Sequence, residues 1–188
     1  MYSLLSVHDL TKLFIHEVVQ KGDLLVDATV GNGHDTLFLF KLAQDLDCRV
    51  IGFDIQQDAI EKAKEKIGAC GSVEWIVDSH EKFDAYPQIR EVGLFVYNLG
   101  YLPTKNKTIT TMAESTLNSV EKALKYVRVG GGLAITCYSG HSEGKKEILA
   151  LEELTQRLDS RVFAVSCTQW VNRKECPRVI LIKKMRNL

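Results

Sequence analysis

The sequence has little that would mark a membrane-embedded, exported or disulfide-stabilised protein. No apolar run approaches the roughly 20 residues that a membrane-spanning helix needs. The first 20 residues carry dispersed charges rather than a basic region followed by an apolar one, so no export signal is expected. The five cysteines are scattered and form no CxxC pair, which argues against a disulfide scaffold and a structural zinc site and indicates reduced thiols in a cytoplasmic protein.

The chain also lacks an excess of either charge, since 24 Lys and Arg balance 24 Asp and Glu. The balance is uneven along the sequence: residues 1–100 carry 9 basic and 16 acidic side chains, and residues 101–188 carry 15 and 8. A polyanionic partner would therefore meet the C-terminal half. The alternative is a solvated face whose charges balance across the folded protein.

Internal repeats, low-complexity tracts and linkers are absent, and 188 residues fit a single domain. Short β-rich runs alternate with stretches of helical period, and central runs such as 24–26 and 94–96 are apolar throughout. This pattern predicts a parallel sheet covered by helices on both faces. The predicted strands are 24–28, 49–54, 72–77, 93–98, 132–138, 161–168 and 178–183, and the predicted helices are 8–20, 35–46, 56–67, 80–89, 113–127 and 143–158.

The last two predicted strands follow one another without a helix, so they can pair only as a hairpin. This places one antiparallel strand in an otherwise parallel sheet. The arrangement resembles the seven-stranded, mostly parallel sheet of Rossmann-like class I methyltransferases, with a C-terminal antiparallel hairpin. The fold class predicted from the sequence is therefore α/β of this type, in one domain covering 1–188.

Two glycines directly follow the first strand, in the run Asp27-Ala-Thr-Val-Gly31-Asn-Gly33-His-Asp35-Thr36. They allow a tight turn and the close approach of a ligand to the backbone. The helix that begins near Asp35 would point its positive N-terminus at that ligand. No Lys-Ser/Thr pair follows the glycines, which argues against a phosphate-binding P-loop.

Aspartates end the first three strands. Asp27 is placed to accept the α-ammonium of a methionine moiety, Asp54 to accept both hydroxyls of a ribose, and Asp78 lies at the height of an adenine. Each could instead cap the helix that follows. Their coincidence at consecutive strand ends favours a ligand site. Asp54 suits NAD as well as S-adenosylmethionine, whereas Asp27 and Asp78 favour S-adenosylmethionine. The candidate cofactor-binding residues are Asp27, Thr29, Gly31, Asn32, Gly33, Asp35, Thr36, Asp54, Gln56, Asp78, Ser79 and His80.

The fourth strand ends in Asn98-Leu99-Gly100-Tyr101, and these four are the candidate catalytic residues. The run resembles the [Asp/Asn]-Pro-Pro-aromatic loop of methyltransferases that act on amino nitrogens, with Leu-Gly in place of Pro-Pro. The Asn98 side-chain oxygen and the Leu99 carbonyl could hold the hydrogens of an amine, and Tyr101 could stack on the substrate ring. The alternative for Asn98 is an ordinary turn residue.

Five motifs extend this resemblance over nearly the whole chain: DATVGNGHDT at 27–36, NLGYLP at 98–103, TITT at 108–111, YSGHSEGKKE at 138–147 and VNRKECP at 171–177. They resemble the small bacterial proteins known as putative rRNA methylases, a family that includes the tRNA 5-(aminomethyl)-2-thiouridine methyltransferases. The resemblance implies methylation of the 5-aminomethyl nitrogen of the wobble uridine, with S-adenosylmethionine as cofactor. The Thr-Lys-Asn-Lys at 104–107 departs from the family's Gly-Gly-Asp-Lys.

The resemblance also implies a tRNA anticodon arm as partner, and a homodimer is left open. Within the domain it assigns 1–22 to an N-terminal helix, 23–90 to the cofactor and 91–188 to catalysis and substrate. Basic side chains beyond strands four to six could hold anticodon phosphates, and tyrosines there could stack a base. The alternatives are methylation of rRNA or of a small amine, a NAD-binding oxidoreductase, and a non-enzymatic RNA-binding protein. The candidate substrate-binding residues are Lys105, Lys107, Tyr138, His141, Asn172, Arg173 and Lys174.

Overall fold

The computed structural model describes residues 6–68, 73–100, 112–140, 142–173 and 176–187. Helices and strands alternate along most of the chain, as the sequence predicts. In chain order they are α1 (Val7–Val18), β1 (Leu24–Asp27), α2 (His34–Leu46), β2 (Arg49–Asp54), α3 (Gln57–Ile67), β3 (Val73–Val77), a 3₁₀ helix (His80–Ala85), β4 (Val92–Leu99), α4 (Ala113–Tyr126), β5 (Val127–Cys137), α5 (Ser142–Gln156), β6 (Phe163–Thr168) and β7 (Arg178–Lys184).

The seven strands form one sheet in the order β3-β2-β1-β4-β5-β7-β6. Strands β1 to β5 pair in parallel, and β7 is antiparallel to both β5 and β6. This confirms the predicted seven-stranded mixed sheet. Six strands therefore end at the same edge, which we call the carboxyl edge. No helix in the described ranges is long and apolar enough to cross a bilayer.

Both faces of the central strands are buried, which explains why these strands are apolar throughout. On β4, Phe95 and Tyr97 pack into a core with α4 and α5, while Leu94 and Val96 pack with α1 and α2 on the opposite face. All four side chains are at most 3% exposed. Asn98, one residue after Tyr97, lies on the α1–α2 face because side chains alternate along a strand.

The helix predicted at 80–89 is only a 3₁₀ helix that ends at Ala85. The cause is Pro87, because the residue before a proline is disfavoured in the α conformation. Tyr86 has φ −94° and ψ 112°, which is extended backbone. The helix predicted at 80–89 is therefore too long, because Pro87 ends it early.

Strand β5 begins at Val127, five residues before the predicted start, and α4 ends one residue earlier. Its register with β4 shifts, since Val92 pairs with Val127 and Leu94 with Gly132, so the residues between bulge out. Arg128 in this bulge donates from Nε to Asp23 Oδ1 over 2.7 Å and from Nη2 to the Val18 carbonyl over 2.9 Å. The bulge thus ties β5 to the end of α1.

Candidate active site

The glycine turn after β1 has the backbone geometry that the sequence predicts. Gly31 and Gly33 have φ of 51° and 72°, in the left-handed region that other residues rarely adopt. Gly33 is the N-cap of α2, and a Cβ there would lie 2.7 Å from the Ala63 Cβ of α3. A glycine is therefore needed both for the turn and for the close packing of α2 against α3.

Asp27 holds the turn that follows β1. Its side chain is fully buried, accepts a 2.6 Å hydrogen bond from Thr36 Oγ1 and accepts a second from the Thr29 backbone N–H. Thr36 is also fully buried. Together the two side chains fix the start of α2 to the end of β1, and their contact with the cofactor stays a prediction. Burial raises the pKa of Asp27 to about 7, and the negative charge of Asp35 contributes to the rise.

Asp54 holds the same turn from the end of β2. It accepts hydrogen bonds of 2.9 Å from the backbone N–H groups of Gly31 and Gln56. A carboxylate has about four acceptor positions, so acceptor capacity remains on both oxygens for ribose hydroxyls. Burial raises the pKa of Asp54, and these backbone hydrogen bonds reduce the rise. Gln56 contributes its backbone N–H to this arrangement.

Asp54→Ala should weaken S-adenosylmethionine binding by about 1–3 kcal/mol, because the ribose hydroxyls and two backbone donors lose their acceptor. Isothermal calorimetry would measure the change. Asp58→Ala is a matched control, since Asp58 is exposed on the first turn of α3. Equal affinity of the folded Asp54→Ala protein and wild type would remove Asp54 from the cofactor site.

Asp78, Ser79 and His80 follow β3 at the carboxyl edge. The Asp78 carboxylate is partly exposed and accepts from Lys82 Nζ at 2.9 Å and from the Tyr86 hydroxyl at 3.2 Å. The Lys82 hydrogen bond lowers the pKa of Asp78, so the group stays an ionised acceptor. Ser79 caps the 3₁₀ helix with its side chain.

The His80 ring is packed against the sheet. It is 8% exposed, and its ring lies edge-on to Tyr97 with 5.8 Å between centroids. Burial lowers its pKa to about 4, so the ring is neutral at physiological pH. The His80 carbonyl accepts from Ser119 Oγ on α4, and the contact of His80 with the cofactor stays a prediction.

Asn98 is held from two sides at the end of β4. Its backbone N–H donates to Thr29 Oγ1 over 2.6 Å, and its Nδ2 donates to Asp35 Oδ2 over 2.9 Å. Because a carboxylate can only accept, the amide nitrogen must face Asp35 and the amide oxygen is left as an acceptor. The sequence predicts Asn98 and Asp35 in separate groups, and the fold joins them across 63 residues.

A cavity of about 420 Å³ opens beside Asn98 and Asp35, on the α1–α2 face at the carboxyl edge. Neither Asp54 nor Asp78 lines it. Tyr138, a predicted substrate residue, lines it from the end of β5. The sequence does not predict that α1 contributes to the cavity lining, because this helix carries no motif. The residues that α1 adds to the cavity lining are His8, Thr11, Lys12 and Ile15.

The other predicted residues are less connected to the cavity. The Asn32 carbonyl accepts from Lys66, the Leu99 side chain is buried, and Gly100 is partly exposed. Asn172 and Arg173 are exposed in the connection after β6, with the Arg173 guanidinium 5.2 Å from the Trp170 ring centroid. The predicted residues outside the described ranges are Tyr101, Lys105, Lys107, His141 and Lys174.

Sequence and structure comparisons agree on the type of protein. The family model described as Putative rRNA methylase matches residues 50–184. A chloroplastic tRNA (mnm(5)s(2)U34)-methyltransferase of Arabidopsis thaliana is 33% identical over 182 residues, which are 91% of this chain. The chain spans 66% of the length of that plant protein.

Two solved structures match along nearly their whole length. A putative rRNA methylase from Clostridium thermocellum has 32% identity and a TM-score of 0.89, covering 98% of this chain and 100% of the other. A putative methyltransferase from Streptococcus mutans, solved in complex with SAH, has 32% identity and a TM-score of 0.85, with 97% and 100% covered. These matches confirm the family and the fold predicted from the motifs. The chain is a class I methyltransferase of the Putative rRNA methylase family.

Proposed function

We propose that the protein is an S-adenosylmethionine-dependent tRNA methyltransferase that converts 5-aminomethyl-2-thiouridine at the wobble position to 5-methylaminomethyl-2-thiouridine. The observation that carries this proposal is the Asn98 amide, which Asp35 fixes with its oxygen free beside the cavity. Such an acceptor suits a nitrogen nucleophile. The Arabidopsis relative, named for the mnm(5)s(2)U34 modification, supports the choice of substrate.

The residues at the carboxyl edge fit the cofactor. The turn at Gly31 and Gly33 has the left-handed backbone that allows a ligand to approach closely, Asp54 keeps acceptor capacity for two hydroxyls, and Asp78 is an ionised acceptor for an adenine amine. When bound, S-adenosylmethionine supplies an electrophilic methyl group on a sulfonium sulfur. The S. mutans relative holds the demethylated form of the same molecule.

The residues of the chain have to hold the substrate amine in the orientation that methyl transfer needs. Asn98 Oδ1 accepts one N–H of the substrate amine, which turns the nitrogen lone pair toward the cofactor side. Thr29 and Asp35 prevent Asn98 from rotating, because each fixes a different group of the residue. No side chain needs to remove a proton during methyl transfer if the nitrogen is already neutral.

The RNA would lie on the basic C-terminal half. Strand β6 runs parallel to β4, so the connection that carries Asn172 and Arg173 lies at the carboxyl edge together with Asn98. Guanidinium groups bind phosphates well, and the half-buried Trp170 ring with the exposed Arg173 guanidinium over it offers a surface for a base. Neutral net charge favours a small set of phosphate contacts.

Reversing the charges at Lys105, Lys107, Arg173 and Lys174 should abolish binding of an anticodon stem-loop and spare cofactor binding. Fluorescence anisotropy of wild type should show a log–log salt slope of about −2 to −5, at roughly 0.7 per neutralised phosphate. Reversal of Lys62 and Lys64, which are exposed on α3 in the acidic half, is the matched control. Unchanged RNA affinity in the fourfold variant would show that the basic half is only a solvated face.

The reaction is tested with synthetic anticodon stem-loops and nucleoside mass spectrometry. We expect S-adenosylmethionine to give the methylaminomethyl nucleoside only from RNA that carries 5-aminomethyl-2-thiouridine. Identical RNA with unmodified uridine and fragments of rRNA serve as controls. Methylation of the rRNA fragments without methylation of the aminomethyl stem-loop would reject the wobble substrate.

A further inference from the structure

Asp35 is a carboxylate at the cavity that has no cationic partner among the described residues. Its Oδ2 accepts the Asn98 amide, and no Lys, Arg or His in the described part of the chain lies within ion-pair distance of it. The side chain is half-buried, so water only partly compensates its charge. A carboxylate in such a position favours a cation as its ligand.

The surroundings of Asp35 strengthen this preference. Asp27 lies behind it, fully buried, and the two carboxylates repel each other strongly enough to contribute to the raised pKa of Asp27. The charge of Asp35 also contributes, after burial, to a raised pKa of Tyr138. A positive group next to Asp35 would relieve both effects. Several titratable groups lie around Asp35. They are Asp27 on β1, Asp54 at the end of β2, whose charge acts on Asp27, Tyr138 after β5, His34 next to Asp35 on α2, and His8 and Lys12 on α1.

We propose that Asp35 is the counter-ion of a cationic alkylamine substrate, pairing with its ammonium group while Asn98 orients the nitrogen. This inference rests on the proposed function and adds the charge state that the site recognises. An aliphatic amine is protonated near pH 7, as a lysine side chain with a pKa of about 10.4 is. The exocyclic amine of adenine or cytosine is uncharged, so Asp35 selects against those bases.

The pairing has a defined place in the reaction. The bound ammonium releases one proton to solvent, which frees the nitrogen lone pair. When the nitrogen gains the methyl group, the bond between that group and the sulfonium sulfur would break and leave neutral SAH. The nitrogen then becomes positively charged again, with two hydrogens retained. Asp35 faces the nitrogen in both charged states and so stabilises the charge that develops during transfer. Asp35 is thus both a recognition group and a source of electrostatic stabilisation.

Binding tests the recognition directly. Two anticodon stem-loops, identical except for 5-aminomethyl or 5-methyl on the wobble uridine, are titrated into wild type and Asp35→Asn at pH 7. Wild type should bind the aminomethyl RNA about tenfold more tightly, as expected for a hydrogen bond between charged groups. Asp35→Asn should lose this preference, while SAH affinity changes less than about twofold. Asp45→Asn, an exposed position on the same helix, should behave as wild type.

The pH dependence of single-turnover methylation gives a second readout. A carboxylate holds the proton on a neighbouring ammonium, so its loss should lower the midpoint of the rising pH–rate profile by about one unit. The plateau should fall about tenfold because the developing charge is no longer stabilised. The amide of Asp35→Asn can still accept the Asn98 hydrogen bond, so a purely structural role of Asp35 would leave the midpoint unchanged.

Two results would overturn the inference. If Asp35→Asn keeps both the preference for aminomethyl RNA and the wild-type midpoint of the pH–rate profile, the role of Asp35 is only to hold Asn98. A fall in SAH affinity with an unchanged preference would assign Asp35 to the α-ammonium of the cofactor. If wild type methylates neither RNA, the proposed function fails, yet the binding comparison still decides whether Asp35 pairs with the ammonium.

Discussion

Replacing Asn98 with alanine should lower the single-turnover rate of methylation by about one to three decades, because the amine loses the acceptor that orients it. Cofactor affinity should hardly change, since Asp54 and Asp78, the proposed cofactor residues, follow other strands. Rapid-quench measurements with saturating cofactor and RNA would isolate this step from binding. The loss of rate with intact affinity distinguishes an orienting role from a structural one.

Asn118→Ala is a matched control for this variant, because Asn118 is an exposed asparagine on α4. It should methylate at the wild-type rate. A second variant, Asn98→Asp, keeps the size of the side chain but places a carboxylate beside Asp35, and like-charge repulsion should disturb the arrangement. Methylation at the full rate by Asn98→Ala would identify the residue as an ordinary turn asparagine.

Gly33→Ala should destabilise the protein by about 2–4 kcal/mol, because strain at positive φ adds to overpacking against α3. The added Cβ would lie 2.7 Å from the Ala63 Cβ and 2.9 Å from its Cα. The second of these atoms is backbone, so a rotamer change cannot relieve the contact. Displacement of α2 should also move the glycine turn, and cofactor affinity should fall together with stability.

Gly22→Ala separates the two causes. Gly22 also has a positive φ, of +82°, but nothing in the described part of the chain lies within 4 Å of a Cβ at that position. The variant should lose only about 1–2 kcal/mol, the conformational cost of a residue other than glycine at positive φ. Urea unfolding of the two variants and wild type gives the comparison. Equal stabilities of Gly33→Ala and Gly22→Ala would show that α2 and α3 can move apart freely.

Several features of the site follow from local sequence patterns. The apolar runs of β1 and β4 mark central strands because a strand buried on both faces must be apolar on both. Gly31 and Gly33 mark a left-handed turn because other residues are strained there. Asp54 at the end of β2 is likewise visible, since parallel strands present their C-terminal ends to a ligand. These patterns depend on residues close in sequence, so they can be recognised before the fold is known.

The sequence left other features undecided because they depend on pairings distant in the chain. It predicts that Asp27 and His80 contact the ligand, but it could not show that Asp27 is hydrogen-bonded to Thr36 or that the His80 ring packs on Tyr97. It could not reveal that α1 lines the cavity, because the sequence of this helix does not indicate which of its residues face the site. The bond between Asn98 and Asp35 likewise required α2 and β4 to meet.

The sequence by itself determined the class of fold, the order of its elements and the edge of the sheet that carries the chemistry. Hydrophobic period and strand-end residues are local, and they are enough for these conclusions. Only the tertiary structure decided which carboxylates are buried and which face the cavity. Burial depends on what every neighbouring element contributes: Asp27 is enclosed by the turn it stabilises, whereas Asp35, eight residues later, faces the cavity beside Asn98.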